Sequence, residues 1–201
     1  MHIRFTIEVI CGAEEPSRII PRIEGEVFDF VGDHVDEKEV TVGRIGGYLV
    51  QIGRAFDEGE SLFAVMDSID QAVHDCYCAL FDPRNDEWSA SVLATYGDNI
   101  TSMDVLYIES VDLEAEFKSM DITPIVRETI ATFGTNCGLV AHEEQPENAK
   151  VWTGFGFRKL PDSDFYTYAP ELLHQGGNDE PIPSISVSWA NRVRRGRRRV
   201  P

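Results

Sequence analysis

The sequence predicts one mixed α/β domain, and three stretches carry that prediction. From Leu106 to Gly134 the chain reads as a buried strand, a polar loop and an amphipathic helix. Leu106, Ile108, Val111 and Leu113 occupy strand-like apolar positions, whereas Ile122, Ile125, Val126, Ile130 and Phe133 recur at helical spacing. Val40–Gln51 alternates in the manner of a strand. Ile69, Val73, Cys76, Tyr77 and Leu80 mark a second amphipathic helix. With 201 residues, 42% of them hydrophobic, the chain is large enough to bury a real core in one domain.

Taken in order, residues 1–10 form a first strand. Residues 12–38, with Pro16, Pro21, Gly25, Gly32 and many acids, read as loops around a short strand at Gly25–Phe30. Gly43, Gly46 and Gly47 interrupt the next strand and predict a bend or bulge. A turn at Asp57–Glu60 returns the chain as a hairpin partner over Ser61–Met66. Asp67 or Ser68 is placed to cap the helix that follows, and Asp82-Pro83-Arg84-Asn85 ends it. Residues 88–96 read more as a short helix than as a strand. Thr123 then Pro124 is a helix-start signal: a capping hydroxyl followed by a residue that tolerates having no N–H. Gly134 is the matching stop. A strand feeding a helix through a short loop builds an anion site, because free N–H groups and the positive dipole end point outward there. No internal repeat is visible. Composition changes after Tyr168, which divides the chain into a domain over 1–170 and an extension over 171–201.

Charge is the other strong feature. The net charge is −17, from 18 Lys and Arg against 35 Asp and Glu. Six of the arginines (192, 194, 195, 197, 198 and 199) crowd the C-terminal segment, leaving 12 basic against 35 acidic residues, or −23, over the body. Such a body repels nucleic acid, while the arginine segment attracts a polyanion, an acidic partner or the acidic body itself. The segment is expected to be mobile and solubilising. No stretch reaches the ~20 apolar residues that span a bilayer. The first ten residues do not resemble a secretory signal, so a cytoplasmic location is expected.

From Lys118 the chain continues Ser119, Met120, Asp121, Ile122, Thr123, and this stretch, placed between a strand and a helix, resembles the phosphate loop of the GNAT superfamily of acetyl-CoA-dependent N-acetyltransferases. In that family the loop has the pattern Arg/Gln-x-x-Gly-x-Gly/Ala. Downstream, VWTGFGFRKL from Val151 to Leu160 is similar to the family's late aromatic-x-x-x-Gly-Phe element, and Cys137–Ala141 fits its fifth strand. GRIGGYLVQI and SLFAVMDS resemble its early antiparallel strands. The resemblance runs from Val40 to Tyr168. It implies a central, mostly antiparallel sheet with splayed fourth and fifth strands, flanked by helices. It also implies N-acyl transfer from acetyl-CoA, with Lys118 and the backbone at Ser119, Met120 and Ile122 on the pyrophosphate. Glu109, on the implied fourth strand, would be the base, with Asp112 a second choice.

The departures point the other way. Asp121 and Thr123 replace both loop glycines, and Pro124 removes a helix N–H. Two like charges at ~4 Å cost about 1 kcal/mol in water and about 4 near a protein surface. Trp152 stands where many family members carry a tyrosine acid, and an indole N–H cannot protonate a thiolate. The alternative reading is therefore a GNAT-fold interaction protein that has lost coenzyme A.

Other candidates carry less. Tyr166 and Tyr168 could approach a thiolate but read as strand packing. His142-Glu143-Glu144 reads as a solvated loop beyond the fifth strand, and His74-Asp75 diverge on their helix. Cys76 and Cys78 would point to different faces, and the four cysteines (Cys11, Cys76, Cys78, Cys137) are expected to be buried free thiols with no metal. An acidic body favours a cationic acceptor or partner, such as a polyamine or a lysine-rich protein.

Overall fold

The computed structural model describes residues 1–8, 16–31, 38–100, 102–144, 149–170 and 187–191. Alternation writes the first half of the sheet. Strands β1 (His2–Glu8), β2 (Arg22–Val31) and β3 (Lys38–Val50) form an antiparallel meander whose inward residues Ile3, Phe5, Ile23, Val27 and Ile45 share one core. The chain then builds three helices, α1 (Ile52–Glu58), α2 (Leu62–Asp67) and α3 (Gln71–Leu80). A two-stranded hairpin of β4 (Phe81–Asp82) and β5 (Glu87–Trp88) and helix α4 (Ala90–Tyr96) complete this group.

Strand β6 (Val105–Leu113) returns to the sheet antiparallel to β3. Its run Val105–Ile108 is buried throughout, because helices cover both faces of the sheet there. Helix α5 (Thr123–Thr129) continues as a wider π turn through Gly134 and leads to β7 (Leu139–Glu143), which pairs parallel to β6. Helix α6 (Lys150–Phe155), β8 (Arg158–Lys159) and β9 (Phe165–Tyr168) close that side. Of the extension expected from residue 171, the described strand β10 (Val187–Asn191) pairs parallel to β1, and the arginine segment from 192 lies outside the described residues. The result is a mixed α/β fold on an open, mostly antiparallel sheet of order β10-β1-β2-β3-β6-β7-β9-β8. Helices α1–α4 pack over Tyr48, Val50, Val105, Tyr107 and Leu139 on one face. Helices α5 and α6 pack over Ile3, Phe5, Leu106, Ile108 and Val140 on the other.

Three expectations are corrected. Ser61–Met66 is helix rather than hairpin strand: Leu62, Val65 and Met66 are buried at helical spacing, and Ser61 Oγ accepts the Ala64 N–H at 3.4 Å. A short apolar run has the same composition in either state, so neighbours decide it. Helix α3 is capped by Asp70, whose Oδ1 accepts the Val73 N–H at 2.9 Å, while Ser68 ends α2 instead. Helix α1 was not expected at all. Its first amide, at Ile52, donates to Asp104 Oδ1 at 2.8 Å, a cap supplied from far along the chain that no local pattern shows. The short helix expected within 88–96 is α4. No described helix is long and apolar enough to cross a membrane.

The bulge expected among the glycines of β3 falls at Val42, beside Gly43, where Val27 and Phe28 of β2 pair with Gly43 and Thr41, whereas opposite Gly46 and Gly47 the extra residue is Glu109 of β6. A Cβ on Gly47 would lie 2.2 Å from the Tyr107 carbonyl oxygen of β6, so the strands approach there only because the side chain is missing. Gly53, in α1, has nothing within 4 Å of such a Cβ. Gly47→Ala should therefore destabilise by about 1–3 kcal/mol through overpacking. Gly53→Ala should stabilise by roughly 0.5–1 kcal/mol through helix propensity. Urea unfolding of both variants checks the opposite signs.

Candidate functional site

The β6–β7 ladder is short. Val105, Leu106 and Tyr107 pair with Leu139, Val140 and Ala141, and there the pairing stops although both strands continue. A buried carbonyl left without a strand partner must find another donor. The Ile108 carbonyl finds the His142 ring, with Nδ1 at 2.8 Å. Because a carbonyl only accepts, Nδ1 carries the proton, and in the neutral ring Nε2 is bare. The ring stacks on Trp152 of α6 at 3.8 Å between centroids, and Trp152 in turn meets Phe157 edge-on at 5.0 Å.

His142 is 5% exposed, so it is a core residue of β7 rather than part of a solvated loop. The strand begins at Leu139, not Cys137, and runs to Glu143. Alternation then turns Val140 and His142 toward α5 and α6, and Glu143 the other way. Glu144 Oε2 lies 3.5 Å from Nε2, at ion-pair range but too far for a hydrogen bond. Burial lowers the His142 pKa, and it outweighs the Ile108 carbonyl and Glu144, both of which favour the imidazolium.

Glu109 faces the opposite side of the sheet. It follows Ile108 by one residue, and its Oε2 takes an ion pair from Arg22 Nη2 at 3.1 Å. Arg22 also reaches Glu24 Oε1 through Nε at 3.2 Å, donates through Nη1 to the Tyr48 hydroxyl, and lies over the Tyr48 ring. The Tyr48 hydroxyl donates to Asp70 Oδ2 at 2.7 Å, and the other oxygen of Asp70 caps α3. Gly46 lies beside this network, where a Cβ would make ordinary contact with Glu109 Oε2 at 3.7 Å and Arg22 Nη2 at 3.8 Å. Burial, and then the hydrogen bond to Asp70, push the Tyr48 phenol well above its usual range. Tyr107 stacks on Tyr48 at 6.4 Å, and burial raises its phenol likewise.

The loop from Lys118 is satisfied from within. Met120 N–H donates to the Phe117 carbonyl at 2.8 Å, and Met120 and Ile122 pack against the core beneath α5. Lys118 and Ser119 are exposed. Ile122, not Thr123, stands at the cap position, and Thr123 is the first helical residue. Its N–H is taken by Asp121 Oδ1 at 2.9 Å. Bonds from Thr123 hold the Asp121 carboxyl below its usual range, its side chain first and its N–H second. Pro124 offers no N–H, and the Ile125 amide already donates to the Ile122 carbonyl at 3.0 Å.

The structure thus brings Glu109 together with Arg22, Tyr48 and Asp70, and sets His142 with Trp152 behind the sheet. It does not bring Glu109 and His142 to one face. Tyr166 and Tyr168 are buried strand packing, as expected. Sequence reasoning missed Arg22 and Tyr48, which carry no local motif, and misplaced His142 by mistaking the strand boundary. Among the described residues no group of three His, Cys, Asp or Glu converges as a metal site would require. Comparison of the chain with known protein families, with curated proteins and with solved structures finds no match.

Burial of His142 gives a signed pH dependence. Its folded pKa is depressed, so its contribution to stability is complete above the unfolded value of about 6.5 and is lost as pH falls through the folded value. His142→Phe keeps a ring on Trp152 and removes the titration. Between pH 6.5 and 5 the wild type should lose stability more steeply than this variant, by up to about 1.4 kcal/mol per pH unit. Chemical denaturation across that range measures it, and equal slopes would mean that the ring titrates as it does in water.

Proposed function

We propose that this chain is an interaction protein built on an acyltransferase-like layout whose coenzyme A site is closed by its own residues. The observation that carries the reading is the 2.9 Å bond from the Thr123 N–H to Asp121 Oδ1. An internal carboxylate holds a helix-start donor next to the Ser119, Met120 and Ile122 amides that the GNAT resemblance assigns to a pyrophosphate, and it is an anion where the ligand would be one. The neighbouring donors support the same reading: Met120 N–H is spent on Phe117, and Pro124 has none. Glu109, the residue suited to act as base, is engaged by Arg22. The acidic body then suits a cationic partner, and the arginine segment of residues 192–199 suits an anionic one.

Calorimetric titration with acetyl-CoA and with coenzyme A tests this directly. Binding is expected to be weaker than ~10⁻⁴ M, and Asp121→Gly should tighten it by removing a repulsion worth about 1–4 kcal/mol. A low-micromolar affinity unaffected by Asp121→Gly would overturn the proposal.

One observation favours the enzyme reading instead. The β6–β7 ladder stops after three residue pairs, which is the kind of parting the resemblance expects between the fourth and fifth strands. Under that reading acetyl-CoA acylates a cationic amine, with Glu109 as base and Lys118, Ser119, Met120 and Ile122 on the cofactor. Acylation would be detectable against a panel of polyamines and basic peptides. Glu109→Gln would then cut turnover at neutral pH by about 10²–10⁴, and less at high pH where the amine deprotonates unaided.

A further inference from the structure

Helices α2 and α3 meet in a tight hairpin that sets three side chains in line. Asp67, the last residue of α2, places Oδ1 3.0 Å from His74 Nδ1. That nitrogen is buried and makes no hydrogen bond, so the contact is an ion-pair approach off the N–H axis. The other ring nitrogen, Nε2, lies 3.4 Å from Cys78 Sγ, one helical turn further along α3. Cys78 is exposed, in contrast to Cys76 and Cys137, which are buried, and this corrects the expectation of buried thiols throughout. Phe63 of α2 packs edge-on against the His74 ring at 5.6 Å and leaves 41% of itself exposed, an apolar wall beside the imidazole.

This arrangement contains the parts of an activated nucleophile: an accessible thiol, a base within reach of its proton, and a carboxylate near the base's second nitrogen. The thiol itself is pushed up, by burial first and then by Asp75 and Asp67, so it stays protonated at neutral pH and needs a base when it attacks. Asp75, held by Gln71 at 2.7 Å, adds a second negative charge close by. An anionic reagent is therefore disfavoured, and a neutral or cationic one is not.

We propose that Cys78, His74 and Asp67 form a thiol-addition site for uncharged or cationic carbon electrophiles of the α,β-unsaturated carbonyl class. The S–H bond breaks as its proton passes to His74 Nε2, and the sulfur pair forms a bond to the β-carbon. The π pair moves to the α-carbon, which takes the proton back from Nε2. The thiol has then added across the double bond, with no leaving group and no change of overall redox state. Cys78 and His74 touch the reacting atoms. Asp67 is a positioning residue that favours the imidazolium formed in passing.

The test is the second-order rate of acrylamide addition to the full chain, read at Cys78 by peptide mass spectrometry, which also separates it from Cys11, Cys76 and Cys137. At pH 7 the wild type should react about tenfold or more faster than His74→Gln. Its rate should climb less steeply with pH than that of the variant, which reacts through the free thiolate alone. Asp67→Asn, at an exposed carboxylate, should slow the reaction at pH 7 and steepen its climb with pH toward that of His74→Gln, and Asp67→Glu should restore it. Iodoacetamide should outpace iodoacetate by a wider margin at Cys78 than it does with free cysteine. Equal rates and parallel pH profiles for wild type, His74→Gln and Asp67→Asn would overturn the proposal, as would addition confined to another cysteine.

Discussion

The carbonyl of Ile108 is where the two halves of the sheet part, and its need for a donor organises what surrounds it. Up to Tyr107, β6 is held by strands on both sides and by helices above and below. One residue later β7 no longer supplies an amide, and an imidazole does so instead. That substitution requires a histidine inside the core, which requires a flat aromatic surface to bury it, which Trp152 provides. The position of α6 against the sheet follows from this stack. A side chain standing in for a strand also leaves a ring nitrogen without a bond, so the junction is satisfied on one side only.

On the opposite face the organising group is a cation. Arg22 draws on β2, β3 and β6 and, through Tyr48 and Asp70, on the start of α3. With Arg22 and Glu109 both partly exposed, their ion pair adds little energy taken alone. Its effect is geometric: it fixes where the helical layer sits over the sheet and commits Glu109 to a structural partner. In a chain with so large an excess of acids, an arginine contacting two carboxylates and a phenol is a scarce resource placed centrally.

The sequence disclosed those parts of the fold whose causes are local. The alternation in β3, the strand–loop–helix from β6 to α5 and the amphipathic face of α3 all follow from residues within a few positions of one another. The bulge was legible because glycines mark it. The parts that escaped have distant causes. Helix α1 starts on the carboxylate of Asp104, and α2 could be told from a strand only by what packs on Leu62, Val65 and Met66. The candidate site divides in the same way. Glu109 was located correctly on its strand, but its pairing with Arg22 is a tertiary fact. Asp121 was legible only as a carboxylate just ahead of a helix, and the structure adds that it takes the Thr123 N–H.

The bulged strand has one more consequence. Gly43 and Gly47 both sit where a Cβ would strike a β6 carbonyl, that of Asp112 at 2.3 Å and that of Tyr107 at 2.2 Å. A slide of β3 by two residues would keep every side chain on its proper face, so hydrophobic patterning alone does not forbid it. The slide would, however, bring Ile45 or Leu49 to the place of Gly47, and neither fits against a backbone oxygen. The joint between β3 and β6 therefore behaves as a keyed fitting with a single seating. Everything attached beyond it, from the Arg22 contacts to the His142 wedge, inherits its alignment from two absent side chains.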